Sequence, residues 1–314
     1  MLKTIFLLIM ALLVMPLIAF YLDPNLIPMQ WEMLVWGGYS ALSVAAICFV
    51  LAELTGNCSQ VDKIWSIAPL IYVWEYAHIS NYQPKFILMA VVVSLWGIRL
   101  TYNFSRRGAY SWKFWTGEED YRWEVLRQNP LFNSRLKWSL FNLFFISFYQ
   151  NILIWLITLP AIYAFKAGDS GEIGWKEMAV AATVLVFLGI ETIADQQQWN
   201  FQNEKHRRIR DGKNTELPYA KGFVHTRLWS VVRHPNYASE QSIWITFYFF
   251  SVAATGNWLN GSLVGAVLLV LLFQGSADFS EGISMKKYVA YEDYIRTTPR
   301  FVPGLKKIIS IFSR

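Results

Sequence analysis

The chain has 314 residues, of which 54% are hydrophobic and only 16% charged, with a mean hydropathy of +0.29. Soluble globular domains carry about 25% charged residues, so the composition excludes an ordinary soluble protein. The net charge of +6 is concentrated in a few loops, a distribution that speaks to membrane topology and not to nucleic acid.

Continuously apolar runs approach the roughly 20 residues a helix needs to cross a bilayer core, whereas a membrane β-barrel needs short alternating segments. The expectation is an all-α fold, a polytopic transmembrane helical bundle of about eight spans. In chain order the predicted spans are 2–22, 32–53, 64–79, 86–104, 140–165, 178–196, 239–256 and 259–278. The first follows Lys3 as a signal peptide would, but no small-residue cleavage site is evident near Ala19 to Asp23, so it is kept as a span.

Loop 105–139 carries Arg106, Arg107, Lys113, Arg122, Arg127, Arg135 and Lys137. Loop 197–238 carries eight more bases from Lys205 to Arg233, and the tail runs from Lys286 to Arg314. The other connections hold only Lys85, Lys166 and Lys176. With eight spans and both termini cytoplasmic, every basic loop falls on the cytoplasmic side, as the positive-inside rule requires. Three regions are expected: N-terminal spans over 1–58, a membrane domain over 59–304 and a basic tail over 305–314. The location is multi-pass in a bacterial inner membrane or the endoplasmic reticulum.

Ionisable groups within spans are costly and invite explanation. In LGIETIADQQQWNFQNEKH, Glu191, Asp195, Gln198, Gln202 and His206 recur at steps of four, three, four and four, which is one helical face. The plain alternative is a helix end emerging into water. Asp62 in VDKIWSI is either a first-turn carboxylate at a helix start or a functional acid. In LWGIRLTYNFSRRG, Arg106 and Arg107 can snorkel to the inner face, and Arg99 lies about two turns deeper.

The stretch SVVRHPNYASEQSIW is the densest polar cluster. Pro235 disfavours helix at His234 and restarts the chain as a bent entry into the seventh span. Arg233, His234, Asn236 and Tyr237 share that turn, with Glu240 three residues on. Helix-start N–H groups favour anions and arginine adds bidentate phosphate recognition, so a phosphorylated cofactor suits this turn better than a neutral lipid. No GxGxxG follows a strand, which rules against a Rossmann binder. The two cysteines and four histidines form neither a disulfide framework nor a metal motif, and no metal is expected. In the tail YEDYIRTTPRF, a surface helix resting its aromatic face on the membrane interface is the preferred reading for Tyr294, with Tyr291 left open.

These residues carry a resemblance. RHPNY followed by Glu240, with VDKIWSI, LWGIRL, GEEDYRWEVLR, YQNILIWLITLP, LGIETIADQQQ and YEDYIRTTPRFVP, resembles the DUF1295 branch of the steroid 5-alpha-reductase superfamily over roughly residues 60–303. The resemblance implies a helical membrane reductase that takes NADPH from the cytoplasmic side. It would deliver hydride to an activated C=C bond of a steroid, sterol or other lipid-like substrate, with membrane lipids around it.

By motif, Asp195 matches the cofactor-binding acid, and its stripe mates Glu191, Gln198 and Gln202 are grouped with it. Arg233, His234, Asn236, Tyr237 and Glu240 match the cofactor motif. Glu281 and the pair Lys287–Tyr288 resemble tail residues that touch cofactor, and Arg99 and Arg107 resemble bases that approach its phosphates. Asp62 stands near the family's substrate-polarising Glu. Trp96 falls where the partner Tyr is expected, so Tyr102 is the substitute, and Asp62 and Tyr102 are the candidate catalytic pair. That departure leaves the substrate open.

Two alternatives stand beside the reductase. RHPxY also occurs in membrane methyltransferases that use S-adenosylmethionine, but Glu281 is followed by Gly282 where those enzymes carry paired acids. A non-catalytic lipid-binding protein would suit the missing Tyr. On the reductase reading, Arg233→Ala or Asn236→Ala is expected to abolish cofactor binding without unfolding the bundle.

Overall fold

The computed structural model describes residues 26–304 apart from 114, 167, 169 and 214–216, together with the isolated positions 14, 17 and 21. The predicted first span and the basic tail over 305–314 therefore lie outside the described residues, save for those three positions. No strand occurs among the described residues, so the all-helical expectation stands. Five helices are long and apolar enough to cross a membrane: Pro28–Thr55, Pro84–Ser105, Arg135–Tyr163, Trp175–Arg210 and Leu263–Lys287. They are compatible with a membrane protein.

The chain divides into two compact units. The first comprises Met1–Ala182 and Ile245–Leu269, the second Thr183–Trp244 and Val270–Arg314.

In the first unit, α1 (Pro28–Thr55) begins with Pro28 at its first turn, where the Gln30 side chain accepts the Ile27 N–H at 3.1 Å. It ends at Gly56, whose φ of 68° is left-handed and whose N–H caps Ala52 O, the ordinary glycine stop. After the short α2 (Gln60–Ile64), α3 (Ala68–Ile79) packs against α4 (Pro84–Ser105). Gly97 permits that approach, since a Cβ there would strike Leu70 and the Ser66 carbonyl. Ser66 and Thr101 exchange a hydroxyl hydrogen bond at 2.6 Å across the pair.

The predicted span at 64–79 is thus two pieces. Pro69 starts α3 afresh, and α3 is only 12 residues long, about 18 Å at 1.5 Å per residue, short of a hydrocarbon core.

Next come α5 (Tyr121–Arg127) and α6 (Arg135–Phe141), then an eight-residue π-helix over Asn142–Tyr149, then α7 (Gln150–Leu156) and α8 (Leu159–Tyr163). A π-segment of that length inside a span is uncommon and is a frequent mark of functional sites. It carries buried polar residues, and they are connected. Asn142 donates to Glu53 Oε1 at 2.9 Å and accepts from Ser147, while Asn151 donates to the Ser147 carbonyl.

The predicted spans at 178–196 and 259–278 are parts of longer helices, α9 (Trp175–Arg210) and α12 (Leu263–Lys287). Between them run α10 (Leu228–Val231) and α11 (Pro235–Thr255), and α13 (Tyr291–Thr297) closes the described chain. The predicted span at 239–256 overlaps α11, which has 21 residues but is not one of the five helices long and apolar enough to cross a membrane.

Candidate functional site

The second unit gathers the polar residues of three sequence segments. Proline at the start of α11 leaves the preceding backbone extended, and that backbone pairs with the tail: the Arg233 and His234 N–H groups donate to Pro299 O and Arg300 O at 2.8 and 3.2 Å. This pairing fixes the direction of both side chains. Arg233 is 7% exposed, and its Nε donates to Glu281 Oε1 at 2.8 Å. The same guanidinium donates to Glu281 Oε2, Ile295 O and Thr298 O. The His234 ring nitrogen Nε2 lies 2.9 Å from Glu281 Oε1, and Arg300 donates to Glu281 Oε2 at 2.7 Å and to Asp278 at 2.8 Å. One buried carboxylate on α12 therefore organises two arginines and a histidine.

Asn236 faces the other way. Its amide Nδ2 donates to Asp195 Oδ1 at 3.1 Å, joining the bent turn to the polar stripe of α9. Tyr237 stacks on His234 at 5.2 Å between ring centroids and meets Phe273 edge-on. Glu240 accepts from the Trp244 indole at 3.0 Å.

Along α9, Glu191 and Asp195 are buried, Gln198 and Gln202 are half-buried, and His206 is exposed. Gln198 Oε1 is buried and makes no hydrogen bond. The stripe thus continues at Lys205, not His206. Lys205 is buried, donates to Gly222 O at 3.1 Å and sits 5.9 Å from the Tyr288 ring centroid. Lys287 approaches the same ring at 5.5 Å.

The sequence reading missed Lys205 and the role of Arg300. Spacing could have found Lys205, because steps of four, three, four and three average 3.5 residues, as close to the helical 3.6 as the chosen steps. Nothing in the sequence signals the bonds of Arg300.

Tyr294 is not on a membrane surface. It is buried with Tyr291 and Phe223, and its hydroxyl donates to the Trp229 carbonyl. Burial pushes the Tyr291 phenol up to about 12. A cavity of about 350 Å³ beside Tyr294, lined also by Lys221, His225 and Asp293, holds none of the five motif residues.

The remaining sequence-predicted residues belong to the first unit. Asp62 lies in α2, where Oδ2 accepts from the Trp123 indole at 2.9 Å and Oδ1 stands 3.8 Å from Arg122. Partial burial raises its pKa against the pull of Arg122, whereas Asp120, also half-buried, is held below the usual range by the Arg122 guanidinium.

Around Asp62 the segments VDKIWSI and GEEDYRWEVLR meet. Lys63 Nζ donates to Thr116 O at 2.7 Å, and Tyr110 donates to Lys63 O. Glu119 accepts from Cys58 N–H and, in a bidentate pair, from Arg127. Burial pushes the Cys58 thiol up to about 11.

Tyr102 is 66% exposed on α4, with the Arg106 guanidinium over its ring. No contact between it and Asp62 is found among the described residues. Arg107 is exposed, and Arg99 is half-buried on the same helix. No group of three or more His, Cys, Asp or Glu side chains able to hold a metal ion occurs among the described residues.

The chain resembles the Schizosaccharomyces pombe protein "Uncharacterized protein C594.04c", with 35% identity over 267 residues, covering 80% of this chain and 74% of that protein. No solved structure matches it. The family described as "Protein of unknown function (DUF1295)" matches residues 48–298, and with that match over most of its length the chain belongs to the DUF1295 family.

Proposed function

We propose that the chain is a membrane-embedded reductase of the steroid 5-alpha-reductase superfamily that uses NADPH to saturate an activated C=C bond of a lipid. The observation that carries this reading is the Asn236–Asp195 hydrogen bond. It brings the RHPNY turn and the acid stripe of α9 together, the two elements that the resemblance assigns to the cofactor.

The residues fit the hydrogen-bonding part of a dinucleotide. Asp195 and Asn236 offer an acceptor and a donor at one place, and Gln198 keeps a buried carbonyl oxygen without a partner. Gln202 continues the same face. These groups would hold ribose hydroxyls and the nicotinamide carboxamide, and Tyr237 offers a ring face beside them. The cofactor supplies the hydride; the chain's residues orient it and exclude water.

The phosphate part fits differently from the sequence expectation. Arg233 spends its donors on Glu281 and on two tail carbonyls, so it braces the site and does not stand ready to clamp a phosphate. That task falls to the exposed bases of the second unit, with Lys287 the first candidate.

The test is thermal stabilisation of the full chain in lipid nanodiscs by NADPH, NADH and S-adenosylmethionine, side by side. A ligand that binds only the folded state raises its melting temperature. A shift with NADPH alone is expected. A shift with S-adenosylmethionine alone would reassign the RHPNY turn to methyl transfer, and no shift with any of the three would overturn a cofactor site.

A further inference from the structure

Between α4 and α5 the chain makes a closed loop over residues 108–118. Its ends meet where the Glu118 N–H donates to Gly108 O at 3.1 Å. Gly117 has a φ of 114°, and a Cβ there would come within 2.3 Å of Ala109 O, so the closure depends on glycine. Residues in and just before α2 hold the loop in place. Asn57 donates to Gly117 O at 3.0 Å, Gln60 to Trp115 O at 2.9 Å and Lys63 to Thr116 O at 2.7 Å. Tyr110 donates back to Lys63 O at 2.6 Å. Gln60 and Lys63 are buried.

What this support presents is a bare tip. Trp112 is fully exposed, Trp115 is 47% exposed, and Ser111 and Lys113 are exposed beside them. Lys113 O accepts from the N–H and the hydroxyl of Thr116, each at 2.8 Å, which ties the tip to the supported base. An indole held off the protein leaves about 150–250 Å² of largely apolar surface in water. Packing within the chain gives no reason to hold it there.

Two observations say what covers it. The loop begins three residues after Ser105, the end of α4, which is long and apolar enough to cross a membrane. The tip therefore stands close to the level at which that helix would leave the hydrocarbon. Its charge is also positive: Lys113 lies on the tip and Arg107, exposed, at its root. Of the acids that follow, Glu119 is engaged by Arg127 and Asp120 by Arg122, leaving Glu118 exposed at the base. Indole rings favour the headgroup layer, and bases beside a span are drawn to anionic lipids. Two indoles, one half covered, and a lysine offer less than the roughly 800 Å² per side of a standard protein interface.

We propose that the 108–118 loop is a membrane-surface anchor. Trp112 and Trp115 seat among the headgroups, and Lys113 and Arg107 pair with anionic phospholipids. Because Gln60 and Lys63 hold the loop, its seating also braces α2, the helix that carries Asp62. The proposal does not depend on the reductase reading.

The experiment places a nitroxide label on Trp112→Cys in the full chain. Trp112 is fully exposed, so the replacement spares the fold, and Cys48 and Cys58 are buried, with labelled wild type as the blank. Collisions of the label with oxygen, which dissolves in the bilayer, and with a water-soluble nickel chelate are compared in two kinds of nanodisc. One is phosphatidylcholine alone; the other also contains phosphatidylserine. With phosphatidylserine the label is expected to favour oxygen, and adding Lys113→Gln is expected to lower the seated population about fivefold. The native ring is read separately, as the emission difference between wild type and Trp112→Phe, which brominated phosphatidylserine is expected to quench.

A label that meets the chelate as freely as one on Asp211→Cys, at an exposed turn, would put the tip in water and overturn the proposal. A label shielded from both reagents in both nanodiscs would mean that protein covers the tip, which also overturns it. So would a seated label indifferent to phosphatidylserine and to Lys113→Gln.

Discussion

Arg233 and Glu281 form a buried ion pair, with Nε to Oε1 at 2.8 Å and both side chains under a tenth exposed. The pair anchors the α11 entry to α12 and, through the arginine's other donors, to the carbonyls of Ile295 and Thr298. The turn that sequence reasoning assigns to cofactor binding is therefore also a structural joint, and substitutions in it separate into two kinds.

Glu281→Ala leaves Arg233 buried without its carboxylate and strips Arg300 and His234 of a common partner. Breaking a buried pair from one side costs about 3–5 kcal/mol. The expected result is a loss of that size in denaturant unfolding of the second unit. Arg233→Ala is expected to be destabilising on the same grounds, which revises the expectation that it would spare the fold. A loss below about 1 kcal/mol for either variant would mean that the pair behaves as an exposed one.

Tyr294→Phe separates an interior α13 from an interfacial one. The phenol donates to the Trp229 carbonyl, and removing one such bond costs about 1 kcal/mol. Stability is expected to fall by that amount, with tryptophan emission unmoved by a change of lipid. A neutral substitution whose emission follows lipid composition would return Tyr294 to the membrane surface.

Asp62 supplies a pH dependence. Its pKa is raised by burial, so between the ordinary carboxylate value and the raised one the folded chain binds a proton that the unfolded chain has released. Stability from this group is therefore full below the ordinary value and is lost as pH rises through the raised one. Asp62→Asn, which stays neutral, is expected to gain stability relative to wild type as pH rises from the ordinary carboxylate value through the raised one. A stability difference that is flat across this range would show that Arg122 and Trp123 offset the burial. Tyr102→Phe, at an exposed position, is expected to change stability by less than about 0.5 kcal/mol.

Much of this was legible where a local period carries the information. The α9 stripe follows from 3.6-residue spacing, and the bent entry to α11 follows from Pro235. The long apolar helices follow from composition. Contacts across long sequence separations were not legible. Asp62 and Trp123 are 61 positions apart and Arg233 and Glu281 are 48, and neither pairing has a sequence period. Their motifs were visible singly, but which carboxylate neutralises which base depends on tertiary packing. Tyr294 misled for a related reason. A short helix rich in Tyr, Arg and Asp reads as a surface helix, and its burial involves Phe223 and Trp229, more than 60 positions earlier in the chain. The apolar run at 64–79 misled because hydropathy does not register the restart at Pro69.

The central claim is that Asp195 and Asn236 together hold NADPH. The most direct measurement is energy transfer from tryptophan to NADPH, titrated on wild type, Asn236→Ala and Asp195→Asn in nanodiscs. The account predicts saturable binding to wild type, weakened about tenfold or more in both variants while their unfolding midpoints stay near that of wild type. Wild type that binds no NADPH, or variants that bind it with unchanged affinity, would contradict it.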